Sequence, residues 1–503
     1  MLQIKNLTVT HIRDLRNIIE DFSVCLKEGD KAAVIGEEGN GKSTLLKLIY
    51  DSHLVEGYVE YRGEILKNGS KMGYLAQEMS REEKELSVYE YCCGGDLFFE
   101  LTPKELADIA RQLKVESEFF YSGQTVGSLS GGEKVKLQMA RILAERPDVL
   151  LLDEPSNDID IDTLVWLEAF IRECSVPVLY ISHDETLLEN TANMIIHMEQ
   201  IRRKTVPRIT VCRTGYAGYL VNRQRNFEHQ EQLAKTERKE YAKQQEKHRR
   251  IQQKVERLQE NISRQDPHGA RLLKKKMHAV KSQERRFEKQ KEKFSEFPDS
   301  EEASFMRFKD SVRIPNGKQV LDYEKEMLEV GGRILAKNIR LRMTGPDKVC
   351  IIGKNGSGKS TMMKEIAGQL KERTDIRVFY MPQNYEDELD MNLTPVEYLT
   401  DIGDREENIR ICTWLGSMKF TAEEMHHPIA ELSGGQKAKV LFLKMTMNPY
   451  DVLLLDEPTR NFSPLSNPAI RKILREFPGA ILGISHDRKF ISEVCTRTFE
   501  LGQ

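Results

Sequence analysis

The sequence lacks any long run of apolar residues. Its 503 residues carry their apolar side chains in short bursts, and none approaches the roughly 18 residues that a membrane-spanning helix needs. The first residues, Met1-Leu2-Gln3-Ile4-Lys5, predict a strand and not a secretory signal. We therefore expect a cytoplasmic protein with no membrane domain in this chain.

Cysteine is scarce and poorly spaced for metal binding. The chain has eight cysteines, of which Cys92 and Cys93 are adjacent and the others are scattered, and none has Cys-x-x-Cys spacing. A zinc site and a disulfide framework are therefore both poorly supported. We interpret the cysteines as reduced thiols.

Net charge is small overall but strongly uneven along the chain. The whole chain has 76 Lys/Arg against 79 Asp/Glu, whereas residues 222–294 alone have 22 against 11. That segment therefore carries +11 and the remainder −14. A solvated charged helix usually balances its signs, so a two-to-one excess favours a segment that meets an anionic partner.

What the chain does contain is one set of motifs in two copies. A glycine-rich stretch, a Leu-Ser-Gly-Gly stretch, a Leu-Leu-Leu-Asp-Glu-Pro stretch and an Ile-Ser-His-Asp stretch recur in the same order. Three matched pairs are each 303 positions apart: Ser130 and Ser433, Glu154 and Glu457, His183 and His486. This long-period repeat predicts a duplicated nucleotide-binding domain.

Both glycine-rich stretches have the spacing of a phosphate-binding P-loop, with a predicted strand before (31–35, 348–352) and a predicted helix after (45–50, 362–367). In such loops backbone N–H groups cradle phosphates, the lysine supplies a positive charge and the serine hydroxyl coordinates Mg²⁺. The predicted ATP-binding residues here are Gly36, Gly39, Asn40, Gly41, Lys42, Ser43 and Thr44, and Gly353, Asn355, Gly356, Ser357, Gly358, Lys359, Ser360 and Thr361.

The remaining motifs supply charge and a base. Asp153 and Asp456 end leucine-rich strands, and the next residue, Glu154 or Glu457, is placed to polarise the attacking water. His183 and His486 follow predicted strands 176–181 and 480–484, from which they could reach a γ-phosphate. With two glutamines the predicted metal set is Ser43, Gln77, Asp153, Ser360, Gln383 and Asp456.

The basic segment has a helical pattern. Phe227, Ala234, Tyr241, His248, Val255 and Ile262 recur every seven residues, and Ile251 and Leu258 are predicted to fill the intermediate positions of the same seam. Asp266-Pro267-His268-Gly269 interrupts the helix and predicts an antiparallel hairpin, whose first arm of about 40 residues would reach about 60 Å. Its predicted tip, a candidate contact for folded RNA, contains Arg264, His268, Arg271, Leu272, Leu273, Lys274, Lys275 and Lys276.

The motif set resembles the ATPase domains of the ABC superfamily, with Walker A, Q-loop, signature, Walker B and H-loop motifs. That resemblance implies that the two domains pair head to tail within one monomer. The signature of each would then close over the ATP bound by the other, so that Lys42 shares a site with Ser433 and Lys359 with Ser130. It also implies ATP and Mg²⁺ as cofactors and adds Gly131, Gly132, Gly434 and Gly435 to the predicted ATP-binding residues.

Two such domains joined by a basic hairpin resemble the ABC-F family of ribosome-associated ATPases. The implied fold is α/β: tandem ABC-type P-loop ATPase domains (1–221 and 301–503) joined by a long antiparallel helical hairpin linker (222–300, tip about 263–276). The implied partner is the ribosome (23S rRNA, large-subunit proteins and peptidyl-tRNA), with no membrane subunits and no DNA. Binding would occur in the tRNA exit site.

Three features favour the antibiotic-resistance branch of that family, the lincosamide, streptogramin A and pleuromutilin type. Only 52 residues separate Gln77 from Ser130, the hairpin is long, and the second Asp-Glu-Pro continues as Thr459-Arg460-Asn461-Phe462-Ser463-Pro464. The expected function is displacement of antibiotics from the peptidyl-transferase centre by the linker tip. A general translation factor without drug specificity is the alternative.

The chain departs from the family pattern in places. The loop after the first Asp-Glu-Pro ends in Asp160, as in the family, but the same loop in the second half ends in Ser463. At the third position of this loop, where the family usually has histidine, the first half has Asp158 and the second half has Asn461. The sequence therefore does not decide whether the two ATP sites are equivalent. It also does not identify the residue that stacks on adenine. A chromosome or DNA-repair ATPase would need a much longer coil, and a transporter ATPase pair has no need of a basic hairpin.

Overall fold

The computed structural model describes residues 1–95, 98–201, 206–260, 271, 272, 274–280, 282, 308 and 314–502. The chain forms two compact units, one of Met1–Tyr216 with Glu301–Gln503 and the other of Ala217–Ser300. The first unit holds both ATPase halves, and the second holds the linker. The domain limits at 221, 222, 300 and 301 remain predictions.

A six-stranded sheet forms the centre of the first half. Its strand order is Met72–Leu75, Val149–Asp153, Val178–Ile181, Lys31–Gly36, Met194–Gln200 and Val206–Cys212, and only the last pair is antiparallel. The leucine-rich strands are buried along their whole length, as expected of a parallel sheet covered on both faces. Their carboxyl ends meet at one edge, where open α/β sheets bind ligands.

A small antiparallel sheet completes the core of this half. It consists of the strands Asn17–Leu26, Leu2–His11 and Val59–Leu66, in that order. The helix Lys42–Tyr50 packs into the same apolar cluster as strands of both sheets, through Leu45, Leu46 and Ile49. The helix that begins at the P-loop lysine is therefore fixed by core packing.

The other helices of the first half surround the sheet. They are Arg81–Glu85, Val88–Cys93, Pro103–Leu113, Gly131–Ala144, Ile161–Glu173 and Glu185–Thr191. Four begin with a serine or threonine and a glutamate that cap each other's backbone N–H groups. The strand predicted from Val176 begins instead at Val178, after Pro177, which has no N–H to donate to the sheet.

The second half repeats this layout. Its five-stranded parallel sheet has the order Val378–Met381, Val452–Asp456, Ala480–Ile484, Lys348–Ile352 and Arg497–Glu500, beside a hairpin of Gln319–Val330 and Arg333–Thr344. Its helices are Lys359–Lys371, Pro395–Leu399, Arg405–Ser417, Ala422–His426, Gly434–Met447, Asn467–Glu476 and Arg488–Val494. The predicted tandem α/β fold is confirmed.

The linker contains the helix Tyr216–Glu260, and residues 271, 272, 274–280 and 282 are also helical. His248 Nε2 lies 2.9 Å from the carbonyl oxygen of Val280, so the chain reverses between them as the predicted hairpin requires. Ala234, His248 and Val255 are buried as predicted, but Ile251 and Leu258 are 52% and 47% exposed, so placing them on the seam was wrong. No described helix is both long and apolar enough to span a bilayer.

Candidate nucleotide-binding sites

The two P-loops have the same backbone shape. The first glycine of each, Gly36 or Gly353, has φ near +150°, and an added Cβ would lie 2.3 Å from the Met198 carbonyl oxygen or 2.4 Å from that of Leu501. Only glycine fits so close to a neighbouring strand. The Asn40 amide also donates to Met198, at 2.9 Å, which ties the first loop to the sheet.

The P-loop lysines are buried over their own loops. Lys42 Nζ donates to the carbonyl oxygens of Gly36 (3.0 Å) and Glu37 (2.9 Å), and Lys359 Nζ to those of Gly353 (2.7 Å) and Lys354 (3.0 Å). Burial lowers the pKa of both ammonium groups. Each ammonium group is thus held against its own loop by backbone carbonyl oxygens.

In each half the P-loop serine lies beside the aspartate that ends the leucine-rich strand, so that both side chains could bind one divalent cation. Ser43 Oγ donates to Asp153 Oδ1 at 2.9 Å, and the Tyr74 hydroxyl donates to Oδ2 at 3.2 Å. In the second half Asp456 Oδ2 is buried and has no partner among the described residues. Burial raises the pKa of Asp456, an effect that the Ser360 hydroxyl opposes. Hydroxyl and carboxylate oxygens of this kind fit Mg²⁺.

The pKa values of the two glutamates that follow these aspartates are shifted in opposite directions. Burial acts to raise the pKa of Glu154, but the charge and hydrogen bond of His183, 3.3 Å away, bring it to about 2. Burial and the charge of Asp456 raise the pKa of Glu457 to about 8. Its histidine, His486, is 3.9 Å away, and burial and Lys359 lower the pKa of that imidazole to about 4.

Each signature serine begins a helix. The hydroxyl of Ser130 accepts a hydrogen bond from the Glu133 N–H, and that of Ser433 from the Gln436 N–H. The glycines that follow permit close approach, since a Cβ on Gly131 would overlap the Asp158 carbonyl oxygen. The free N–H groups at the start of a helix favour an anion.

The second P-loop and the first signature line one cavity of about 980 Å³, which we call site B. The lining includes predicted residues from both halves: Ser130, Gly131, His183, Asn355, Gly356, Gly358, Lys359, Ser360, Thr361, Gln383, Asp456, Glu457 and His486. No phenylalanine, tyrosine or tryptophan is among the described lining residues, whose aliphatic members are Leu129, Ile159, Leu164, Val330, Leu335 and Ile484. Asp158 reaches into this site, where its carbonyl accepts from Asn355 Nδ2 at 2.5 Å.

The first P-loop faces the second signature at what we call site A, and acidic side chains fill the contact. The Gly435 N–H donates to the carboxylate of Glu38. Glu37 Oε1 lies 2.6 Å from Lys419 Nζ, and Oε2 lies 3.5 Å from Lys439 Nζ. Lys42 and Ser433 thus belong to facing elements, with a protein carboxylate at the start of the signature helix.

The predicted glutamines and the described residues of the linker tip are exposed on the surface. Gln77 and Gln383 are exposed after their strands, and Gln383 Nε2 lies 3.5 Å from Asp158 Oδ1. At the tip, Arg271, Leu272, Lys274, Lys275 and Lys276 are helical and exposed. Arg264, His268 and Leu273 lie outside the described residues.

Three interacting residues were missed from the sequence. Arg460 Nη1 lies 2.8 Å from Asp158 Oδ1 in site B, and Lys419 meets Glu37 in site A. Glu38 was visible inside a P-loop, and an acid beside bound phosphate is the signal that could have singled it out. Their partners lie in the other half, so local pattern could not identify them.

The fold and paired motifs define a two-site P-loop ATPase. The sequence profile described as ABC transporter matches residues 19–157 and 336–460, more than half of the chain. The chain belongs to this family, binds ATP and hydrolyses it.

Relatives match along almost the whole chain. It is 28% identical to the ribosome protection protein VmlR of Bacillus subtilis, over 95% of this chain and 83% of that protein. It is 26% identical to the energy-dependent translational throttle protein EttA of Haemophilus influenzae (97% and 89%) and 28% identical to human ATP-binding cassette sub-family F member 3 (95% and 68%). Homologues therefore include members of sub-family F.

Solved structures support the fold. The archaeal ribosome recycling factor aABCE1, solved with the stalk protein aP1, has a TM-score of 0.58 and 17% identity, covering 98% of this chain and 87% of that chain. A structure described as RNase-L inhibitor gives 0.56 and 18%, with coverage of 98% and 87%. At this identity the likeness concerns the fold alone.

Proposed function

We propose that this protein is an ATP-dependent ribosome-binding protein of the ABC-F type that enters the tRNA exit site and displaces antibiotics from the peptidyl-transferase centre with its linker. The observation that carries the ATP-dependent part is the cavity of site B, which residues of both halves line. A nucleotide that contacts both walls stabilises the closed pair by the difference in its affinity for closed and open forms. Closure can then be transmitted to the linker between the halves.

Chemical roles follow from the site geometry. Lys42 and Lys359 would hold the outer phosphates, and the Ser-Asp pairs of each half would hold Mg²⁺, which neutralises phosphate charge when bound. Glu154 and Glu457 would orient the attacking water, with His183 and His486 beside them. The Ser130 and Ser433 helix starts would contact the nucleotide bound by the opposite half.

The ribosomal part of the proposal is supported by charge and by kinship. The linker segment carries +11, and the exposed residues at its described end are mostly basic, which suits the phosphates of folded RNA. Relatives bear the names ribosome protection protein and translational throttle protein. The partners would be 23S rRNA, large-subunit proteins and peptidyl-tRNA, and the location the cytoplasm.

Trapping on ribosomes tests the proposal. Glu154→Gln with Glu457→Gln should leave ATP binding intact but slow hydrolysis by on the order of 100-fold or more, because general-base assistance is lost. In ATP the variant should co-sediment with ribosomes, and in ADP it should not. Free sedimentation in ATP, with nucleotide bound normally, would contradict ribosome binding.

Drug protection tests the role of the tip. Leu272→Ala with Leu273→Ala should reduce protection against drugs of the peptidyl-transferase centre while ATP hydrolysis stays near wild type. The matched control is Ile251→Ala with Leu258→Ala, two exposed apolar residues of the first arm. Inhibitory concentrations in a susceptible host distinguish the variants. A protein that binds ribosomes but never protects would support the general translation factor.

A further inference from the structure

The repeat inverts charge at two positions where the halves meet. Glu168 lies in the helix Ile161–Glu173, and the residue 303 positions later is Arg471, in the helix Asn467–Glu476. Glu185 begins the helix Glu185–Thr191, and Arg488 begins its repeat 303 positions later. Equivalent positions are therefore acidic in the first half and basic in the second.

These four residues form two crossed pairs between the halves. Arg471 Nη1 lies 2.5 Å from Glu185 Oε1, and its Nη2 lies 3.2 Å from Oε2. Arg488 Nη2 donates to Glu168 Oε1. Each pair is the counterpart of the other under the repeat, so both join an acid of the first half to an arginine of the second.

One pair is buried and the other is partly buried. The side chains of Arg471 and Glu185 are 3% and 4% exposed, and those of Arg488 and Glu168 are 23% and 11% exposed. A buried ion pair adds little net stability, but a buried charge that meets no opposite charge is strongly destabilising. Such pairs therefore discriminate between partners more than they strengthen the contact.

Neighbouring charges surround the crossed pairs. Lys489 of the second half contacts Glu185 at 3.2 Å and Glu189 at 2.5 Å in the first half. Within the second half, Glu493 lies 3.0 Å and Asp487 3.9 Å from Arg471, and on the other side Asp184 lies 3.8 Å from Arg488. The arginines thus also have other acidic residues nearby. The two crossed pairs themselves each join a glutamate of the first half to an arginine of the second.

We propose that the crossed pairs select the partner of each ATPase half: the acidic face of the first half accepts a second half and rejects another first half. If two first halves from two copies of the chain paired in the same geometry, Glu168 would meet Glu185. Two second halves would place Arg471 against Arg488. Like charges at a buried contact favour separation, so the surface fits only the opposite half.

One-sided charge reversal in the full chain tests this selection. The variant Glu168→Arg with Glu185→Arg makes both faces basic, and Arg471→Glu with Arg488→Glu makes both acidic. Contact between halves is measured by carbodiimide coupling of Glu37 to Lys419, whose side-chain atoms are 2.6 Å apart, with the product identified by mass spectrometry. We expect coupling to fall about tenfold or more in each variant, because like charges then face each other across the contact between the halves.

Combining all four substitutions restores acid opposite base with the signs exchanged. Coupling should recover to at least half of the wild-type yield, with Lys489 and Glu493 limiting the recovery. An equimolar mixture of the two one-sided variants should also regain coupling, now between two chains. The control Arg146→Glu breaks an Arg–Glu contact inside the first half and should leave coupling unchanged.

Two results would overturn the proposal. One is full coupling in both one-sided variants, which would mean that the charges do not choose the partner. The other is failure of the fourfold variant to recover although its circular dichroism matches wild type, which would make the four residues structural only. None of these four side chains lines site B, and coupling is measured in the isolated protein, so the test does not depend on ribosome binding.

Discussion

Sites A and B contain the same motifs but differ in what faces the P-loop. In site B the third P-loop position is Asn355, whose amide donates to the Asp158 carbonyl, and the cavity beside it is about 980 Å³. In site A the same position is Glu38, whose carboxylate accepts from the Gly435 N–H at the start of the signature helix. That N–H belongs to the group of donors best suited to a phosphate. The two sites therefore share the same motifs but differ in the third P-loop residue, which is Asn355 in site B and Glu38 in site A, and in the group that this residue contacts.

The comparison predicts unequal nucleotide affinity in the ribosome-free protein. Lys359→Ala should remove the tighter class of ATP sites and lower that affinity by about 10- to 100-fold, as expected when a hydrogen bond to a charged group is lost. Lys42→Ala should change the tighter class little, because site A must first release Glu38. Titration with a fluorescent ATP analogue measures both.

Matched folding of the two lysine variants is the control for this experiment, since both side chains hold their own loops in the same way. The comparison between sites fails if Lys42→Ala weakens the tighter class as much as Lys359→Ala does. Equal ATP affinities of sites A and B in the unmodified protein would also contradict the predicted difference.

Exchanging the third P-loop residue sharpens the comparison. Glu38→Asn removes a carboxylate that repels phosphate and occupies a donor, so ATP affinity at site A should rise about tenfold, a gain of roughly one charged hydrogen bond. The reciprocal change Asn355→Glu should weaken site B. Binding is measured in a Lys359→Ala background for the first variant and a Lys42→Ala background for the second. If Glu38→Asn leaves affinity at site A unchanged, the carboxylate does not compete with nucleotide.

These differences show which features a sequence can reveal. The P-loops, the leucine-rich strands and the helix after each loop were predicted because their signals are local: glycine spacing and continuous apolar runs. The contact of Glu38 with Gly435 was not, since it depends on a residue 397 positions away. Heptad spacing placed Ala234 and Val255 on the buried face but failed for Ile251 and Leu258, because the opposing arm determines which positions are covered.

The smallest predicted difference concerns protonation. In the metal-free protein burial and Asp456 raise the pKa of Glu457 to about 8, from 4.5 for an ordinary glutamate. Between those values the folded state keeps a proton that the unfolded state has released, so this group makes stability fall as pH rises, by about 1.4 kcal/mol per pH unit. The pKa of Glu154, about 2, gives no such change there.

Thermal unfolding from pH 6 to 8, in chelator and without nucleotide, measures this difference. Glu457→Gln should lose part of the wild-type decline in melting temperature, a change of a few degrees over the range for a chain of this size. Glu154→Gln should decline in parallel with wild type, because neither the folded nor the unfolded form of that glutamate titrates above pH 6. Parallel curves for all three proteins would show that Glu457 is ionised throughout, and the two glutamates would then not differ in protonation.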